Sequence, residues 1–317
     1  MKYCLEPPPA YFVHVPKTGG ISLGALLEAN FKHGDYVKLK PSTLAQLTTA
    51  DLKRFRCYHS MHHGRSMLDM MGRSDLTCIT MVRDPVERSV SQILYLQRTV
   101  ARIPETFTAT YLAQVAPLVH ADLSECLDHA AFVSACDSQI KNLGILEDYI
   151  PLFKGSEDAA SGRSVLRPYH LPPLMDTENK AMLLDNARRW LGEMAVVGIH
   201  EHYVESVLLV CEALGISAPT TLPRRNVNPR RTDLTLRYRT QLSPKVVAQI
   251  EELTYHDQQL YDEACELFRE QWAVYQARPR HRIFSIAPRL RQAVPQVRRV
   301  LRPVNQFFRK VFPRSRP

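Results

Sequence analysis

The chain has 317 residues, of which 45% are hydrophobic and 8% aromatic, a composition that excludes a disordered chain and suits one large α/β domain. It contains no apolar run of about 18 residues, which excludes a hydropathy-defined membrane helix. The formal charge of +9 hides an asymmetry: residues 278–317 hold 12 of the 41 Lys and Arg and no acid, leaving 29 basic against 32 acidic residues before them. A nearly neutral body, residues 1–277, thus carries a basic tail, residues 278–317. The stretch Met1–Ala10 is polar and proline-rich, so no signal peptide is expected. The seven Cys are scattered with no CxxC pair, which fits a reduced, cytoplasmic setting better than a disulfide framework or a zinc site.

The elements follow in order. Tyr11–Val15 reads as a buried strand, stopped by Pro16. A Lys17-Thr18-Gly19-Gly20 turn leads into a helix over Ser22–Ala29, with Leu23, Leu26 and Leu27 at helical spacing. Tyr36–Leu39 is a short strand, Leu44–Leu52 a helix entered at Pro41-Ser42-Thr43, and Phe55–Tyr58 a strand followed by the polar run HSMHHGR. Leu76–Val82 is a β-branched buried strand, and Pro85 suits the first turn of a helix running to about Arg102. Residues 106–149 give two or three helices, and Gly155–Pro173 a loop placed to act as a lid. Glu178–Leu191 is helical, Ala195–Gly198 a last strand, and Tyr203–Leu214 a helix ended by Gly215. A basic loop spans 218–240, and Ser243–Ala277 is one long amphipathic helix. Repeated strand–turn–helix units predict a parallel sheet flanked by helices, with ligands bound beyond the carboxyl ends of the strands.

Two turns stand at such strand ends. In HVPKTGG a glycine turn opens a helix, the arrangement that aims backbone N–H groups and a helix N-terminus at an anionic phosphate. Glycine permits positive φ and close backbone approach, and Lys17 adds an ammonium point charge. The Lys precedes the glycines, so this is not the Walker A order of Gly-Lys-Ser/Thr. In RDPVERSVSQ, residues 83–92, Arg83 closes a strand and Ser91 lies eight residues on, along the helix. Two turns of helix span about 12 Å, so one phosphate must lie across the helix start to meet both.

Together these motifs resemble the sulfotransferases that use 3′-phosphoadenosine 5′-phosphosulfate (PAPS), closest to the branch of the heparan and uronyl 2-O-sulfotransferases and their bacterial relatives. The resemblance spans roughly residues 10–270. It implies a P-loop-type parallel sheet with helical flanks and a helical C-terminal extension. It implies that Lys17, Thr18, Gly19, Gly20 and Ser22 hold the 5′-phosphosulfate, and that Arg83 and Ser91 hold the 3′-phosphate. Where members often carry Thr or Ser, this chain has Ile21. Softer likenesses are VGIHEHYVESVLLVCEALG (197–215), DSQIKNLG (137–144) and the basic loop 224–231. That loop offers Arg225 for the nucleotide, with Arg224, Asn226 and Arg230 beside it.

The transferring members place a base His just after a strand between the two motifs, in a His-Gly-His setting. Here YHSMHHGR offers His62, His59 and His63 in that order of preference. The reaction needs positive charge on the leaving phosphate, which Lys17 can supply, and no metal is obligatory. The resemblance implies a hydroxyl acceptor, a carbohydrate or glycolipid. Membrane-anchored relatives are Golgi enzymes, so an unanchored chain implies a soluble bacterial one. The tail interleaves Arg with Phe284, Leu290, Val297, Phe307 and Phe312, suiting an anionic membrane surface. It carries no recognised nucleic-acid motif. The competing readings are a P-loop kinase-like phosphotransferase, and a non-catalytic nucleotide- or membrane-binding protein on the same fold.

Overall fold

The structure, a computed structural model, describes residues 6–39, 43, 46–61, 64–102, 109–144, 156–158, 163–165, 177–222 and 237–278. At its centre is β1 (Ala10–Val13), buried at every position. A strand with no polar alternation belongs in a sheet covered on both faces. With β2 (Tyr36–Leu39), β3 (Cys57–Ser60), β4 (Thr77–Val82) and β7 (Val196–Ile199) it forms a five-stranded sheet in the order β2-β3-β1-β4-β7, parallel throughout. From β1 the chain jumps to the edge strand β2, returns to β3 beside β1, and then passes β1 to β4 and β7 on the other side. The turns after β1 and β4 therefore lie side by side at the point where the order reverses, where open α/β sheets bind ligands.

The strand β3 lies two residues further along the chain than its expected span of Phe55–Tyr58. The amides of Arg56 and Cys57 both donate to Asp35 O, and Tyr58, His59 and Ser60 pair with Tyr11, Phe12 and Val13. Pairing with a central strand overrides the local polarity of His59 and Ser60 and draws them into the sheet.

Helix α1 (Gly20–Asn30) follows β1. Of the helix expected over Leu44–Leu52, residues 44 and 45 lie outside the described residues, and its C-terminal part falls in the short α2 (Thr49–Lys53), begun by a reciprocal Thr48–Asp51 capping box. After α3 (Ser66–Met71) and β4 comes α4 (Pro85–Arg102), which buries Val86, Val90, Ile93, Leu96 and Val100 along one stripe. That stripe packs with Phe132, Tyr238 and Ile250 in a core separate from the sheet's own. Among the described residues the middle region holds four α-helices, where two or three were expected over 106–149: α5 (Ala109–Val115), α6 (Leu123–Cys126), α7 (Ala130–Ala135) and α8 (Ser138–Gly144). The loop expected at 155–173 contains an antiparallel pair, β5 (Ser156–Asp158) and β6 (Arg163–Val165). Three-residue strands are too short to show a period.

On the β7 side pack α9 (Thr177–Glu193), α10 (Tyr203–Ala213) and the C-terminal α12 (Tyr255–Ala277). The single helix expected over 243–277 is two, α11 (Pro244–Leu253) and α12. At Thr254 the hydroxyl donates back to Ile250 O at 2.7 Å, and the Asp257 amide leaves the helix ladder to meet Asp137 Oδ1 at 3.0 Å. Of the tail expected from residue 278, only Arg278 is described, and residues 279–317 lie outside the described residues. No described helix is long and apolar enough to cross a membrane.

Helices α8 and α9 meet so closely that a methyl group on Gly144 would sit 2.1 Å from Leu183 O. The clash is with backbone, which cannot swing aside. Gly144→Ala is expected to destabilise the protein by about 2–3 kcal/mol in urea titration. A loss under about 0.5 kcal/mol would show that the two helices do not meet there.

Candidate functional site

The turn after β1 is tight and strained. Lys17 has φ 73° and Gly19 φ 89°, and Gly19 is the N-cap of α1. A side chain at Gly19 would be strained by that φ and would crowd His200 Nδ1 at 3.0 Å and the Tyr203 ring at 3.1 Å. Gly20 is required for another reason: its methyl would overlap the His14 ring at 2.1 Å. The Thr18 hydroxyl turns inward and donates to Val15 O at 2.8 Å, and the Thr18 carbonyl meets the His200 ring at 3.0 Å. Ser22 is buried in the first turn of α1, its amide donating to Gly19 O. That turn has no side-chain cap and no acidic residue, so the positive end of the helix is not neutralised by its own sequence.

The second turn reaches the first. Arg83, 5% exposed, donates from Nη1 to Lys17 O at 3.1 Å and from Nη2 to Glu87 Oε2 at 3.3 Å. Its Nε lies 3.9 Å from Glu201 Oε1. The backbone of Arg83 is fixed as well. Gln139 Oε1 accepts from the Arg83 amide and Gln139 Nε2 donates to the Arg83 carbonyl, both at 2.9 Å. Asp84 caps α4 by accepting from the Glu87 amide. Glu201 ties in the last strand and α12: it accepts from the Asp84 amide at 3.3 Å and from the Tyr261 hydroxyl at 3.1 Å. Burial raises the Glu201 carboxyl against the lowering pull of Arg83.

Gln139 is itself positioned by two helix starts that cap each other. The Asp257 carboxylate accepts from the Gln139 and Ile140 amides at the head of α8, while Asp137 accepts from the Asp257 amide at the head of α12. Arg88 and Lys180 supply the counter-charges, at 3.6 Å from Asp257 and 2.9 Å from Asp137.

Along α4, Ser91 is half-buried and sits one turn before Tyr95 on the same face. The Lys17 ammonium lies 4.1 Å above the Tyr95 ring centroid. The Lys17 pKa is lowered to about 8, first by burial and then by Arg98, Arg83 and Arg88. Among the described residues, the charges acting on it are these three arginines. Among the described residues, Lys17, Gly19, Gly20, Ser22 and Arg83 thus gather around the ends of β1 and β4, and Ser91 lies two turns along α4.

The histidines are placed differently. His59 is 1% exposed within β3, bonded through Nδ1 to the Tyr36 hydroxyl at 2.7 Å and through Nε2 to His14 Nδ1 at 2.8 Å. It lies under α1, where a methyl on Gly24 would come within 2.4 Å of its ring. Its place inside the strand, not after it, is a consequence of the β3 register. His62, His63 and the loop bearing Arg225 lie outside the described residues. Gln139, His200 and Glu201 fall within the two softer sequence likenesses. The parts played by Tyr95, Arg98, Asp257 and Tyr261 had no local signal.

Gln139→Ala would strand the buried amide and carbonyl of Arg83. The expected cost is roughly 2–3 kcal/mol in denaturant unfolding, twice the desolvation of a lone polar group. Gln139→Glu would set a carboxylate oxygen against the buried Arg83 carbonyl and is expected to lose at least as much. A loss under about 0.5 kcal/mol in Gln139→Ala would refute the two-point grip.

The comparisons agree with this geometry. No curated protein matches the chain, but the model of the sulfotransferase family matches residues 9–262. That span begins just before β1 and ends within α12, so it takes in both turns and every described side chain that holds them together. The chain belongs to the sulfotransferase family.

Proposed function

We propose that this protein transfers a sulfuryl group from PAPS to the hydroxyl of a carbohydrate or glycolipid. One observation carries the reading: Arg83 Nη1 bonds Lys17 O at 3.1 Å, so the two phosphate-type turns form one continuous site at the sheet's switch point. The residues present fit a polyanionic nucleotide. The start of α1 has no internal acid, and among the described residues every charge acting on Lys17 is a cation. The Thr18, Gly19, Gly20 and Ser22 backbone would hold the 5′-phosphosulfate, and Arg83 with Ser91 the 3′-phosphate, with Arg225 closing over the nucleotide. Lys17 would bond the bridging oxygen as negative charge builds there.

In the reaction the acceptor oxygen forms a bond to sulfur as the bond from sulfur to the phosphate oxygen breaks. A base removes the hydroxyl proton. The base would come from the His59–His63 run. His62 is the first candidate, because both ring nitrogens of His59 are already engaged by Tyr36 and His14. The enzyme would work without a metal in the cytoplasm, with its basic tail on the anionic inner face of the membrane.

In thermal-shift measurements, PAP (3′-phosphoadenosine 5′-phosphate) is expected to stabilise the protein and ATP–Mg²⁺ is not. The reverse pattern would favour a kinase-like reading. Lys17→Ala and Arg83→Ala should each reduce PAPS-dependent transfer at least about a hundredfold, the scale of losing one oriented cation at a transition state. His62→Ala should lose transfer yet keep PAP binding. Wild-type PAP affinity in Arg83→Ala would overturn the 3′-phosphate assignment. For the tail, deletion of residues 279–317 should abolish flotation with anionic liposomes. Unchanged flotation would remove the membrane role.

A further inference from the structure

The cation over Tyr95 is unusual in its surroundings. Lys17 sits 4.1 Å above the ring centroid and the Arg98 guanidinium lies 5.9 Å from the same centroid. Two cations thus share one aromatic face-and-edge system, on a helix whose start adds Arg83 and Arg88. An ammonium over a tyrosine ring is attracted by the ring quadrupole. An ammonium beside a guanidinium is repelled. The groups facing Lys17 are the Tyr95 ring with its phenol and Arg98 from α4, and Arg83 and Arg88 from the start of that helix. Among the described residues no carboxylate joins them.

We propose that Tyr95 is the resting seat of the Lys17 ammonium and that Arg98 loosens it from that seat, so that Lys17 is a mobile cation released to an arriving anion. Tyr95 and Arg98 are then positioning residues, acting through Lys17. The seat holds the charge near the turn without an ion pair that the ligand would have to break. Arg98 keeps the hold weak, and together with burial it lets the ammonium discharge near pH 8 in the empty protein. An incoming polyphosphate would reverse both effects and draw a proton onto Lys17. The inference rests on the donor reading only for the identity of that anion.

The two residues pull the Lys17 titration in opposite directions, which separates the proposal from a merely structural role. In NMR titration of protein carrying ¹³Cε-lysine, with Lys17→Gln to assign the signal, the wild-type midpoint is expected near 8. Arg98→Gln should move it up and Tyr95→Leu down, each by roughly half to one pH unit. Tyr95→Phe, which keeps the ring, should match wild type and guards against misfolding in the leucine variant. Calorimetry with PAP at about pH 9, in two buffers of different ionisation heat, should show proton uptake in wild type and none in Lys17→Gln. Shifts of Arg98→Gln and Tyr95→Leu in the same direction, no shift in either, or an ordinary lysine titration in wild type would overturn the proposal. If the midpoints shift as stated but PAP neither binds nor stabilises, the seat stands and the donor reading falls. If PAP binds but the midpoints ignore Tyr95 and Arg98, the donor reading stands and the seat falls.

Discussion

The hydrogen bond from Arg83 Nη1 to the Lys17 carbonyl joins two turns that are 66 residues apart in the chain. It also explains the backbone of Lys17. At φ 73° a residue with a Cβ is held in a conformation costing about 1–2 kcal/mol, and such strain persists only where surrounding contacts overdetermine it. Here the left-handed turn presents the Lys17 carbonyl to Arg83. The Thr18 hydroxyl on Val15 O and the His200 ring on Thr18 O, at 2.8 Å and 3.0 Å, hold the next residue from below and from above. With the turn pinned on three sides, the amides at the start of α1 are oriented before any ligand arrives, which spares the ordering cost at the moment of binding.

Arg83 could not do this without support. A guanidinium that is 5% exposed needs counter-charge and hydrogen bonds to offset its desolvation. Glu87 and Glu201 provide charge from two different elements, and Gln139 closes on its backbone from a third. The reciprocal caps of Asp137 and Asp257 then carry the restraint to α12, more than a hundred residues downstream. The C-terminal helices are part of the site's scaffold for this reason, although no residue on them needs to touch a nucleotide.

Much of this was legible in the residues and some could not have been. The strand at Thr77–Val82 stands out because its burial leaves a long apolar run, Tyr36–Leu39 because its burial alternates, and helix Pro85–Arg102 because Pro85 marks where a helix can begin. The two turns were legible because glycine and charge at a strand end have few other uses. The β3 shift was not, since His59 and Ser60 look polar and only their pairing with Phe12 and Val13 places them in the sheet. The break at Thr254 was hidden for the same kind of reason. The periodicity runs on through it, and the cause is Asp137, which lies 120 residues from Asp257 in sequence. Gln139 and Glu201 were visible as members of soft likenesses. Their partners are set by tertiary contact, which no spacing rule encodes.

The two basic residues at the heart of the site are of opposite kinds, and the difference follows from their side chains. Arg83 is planar, permanently charged and surrounded by acceptors, so it serves as a fixed strut. Lys17 is a point charge on a flexible stem, its carbonyl held by that strut, with the Tyr95 ring beneath its ammonium and, among the described residues, Arg98, Arg83 and Arg88 as the charges acting on it. An arginine there would stay charged whatever its neighbours, and would bring repulsion from Arg98 and Arg83 with no means of relieving it. A lysine relieves the same repulsion by releasing its proton, and takes the proton back when an anion restores the balance. In the proposed reaction, one cation would hold the frame and one would follow the charge as it moves to the leaving oxygen. The burial and neighbours of Arg83 and Lys17 suit them to those separate tasks.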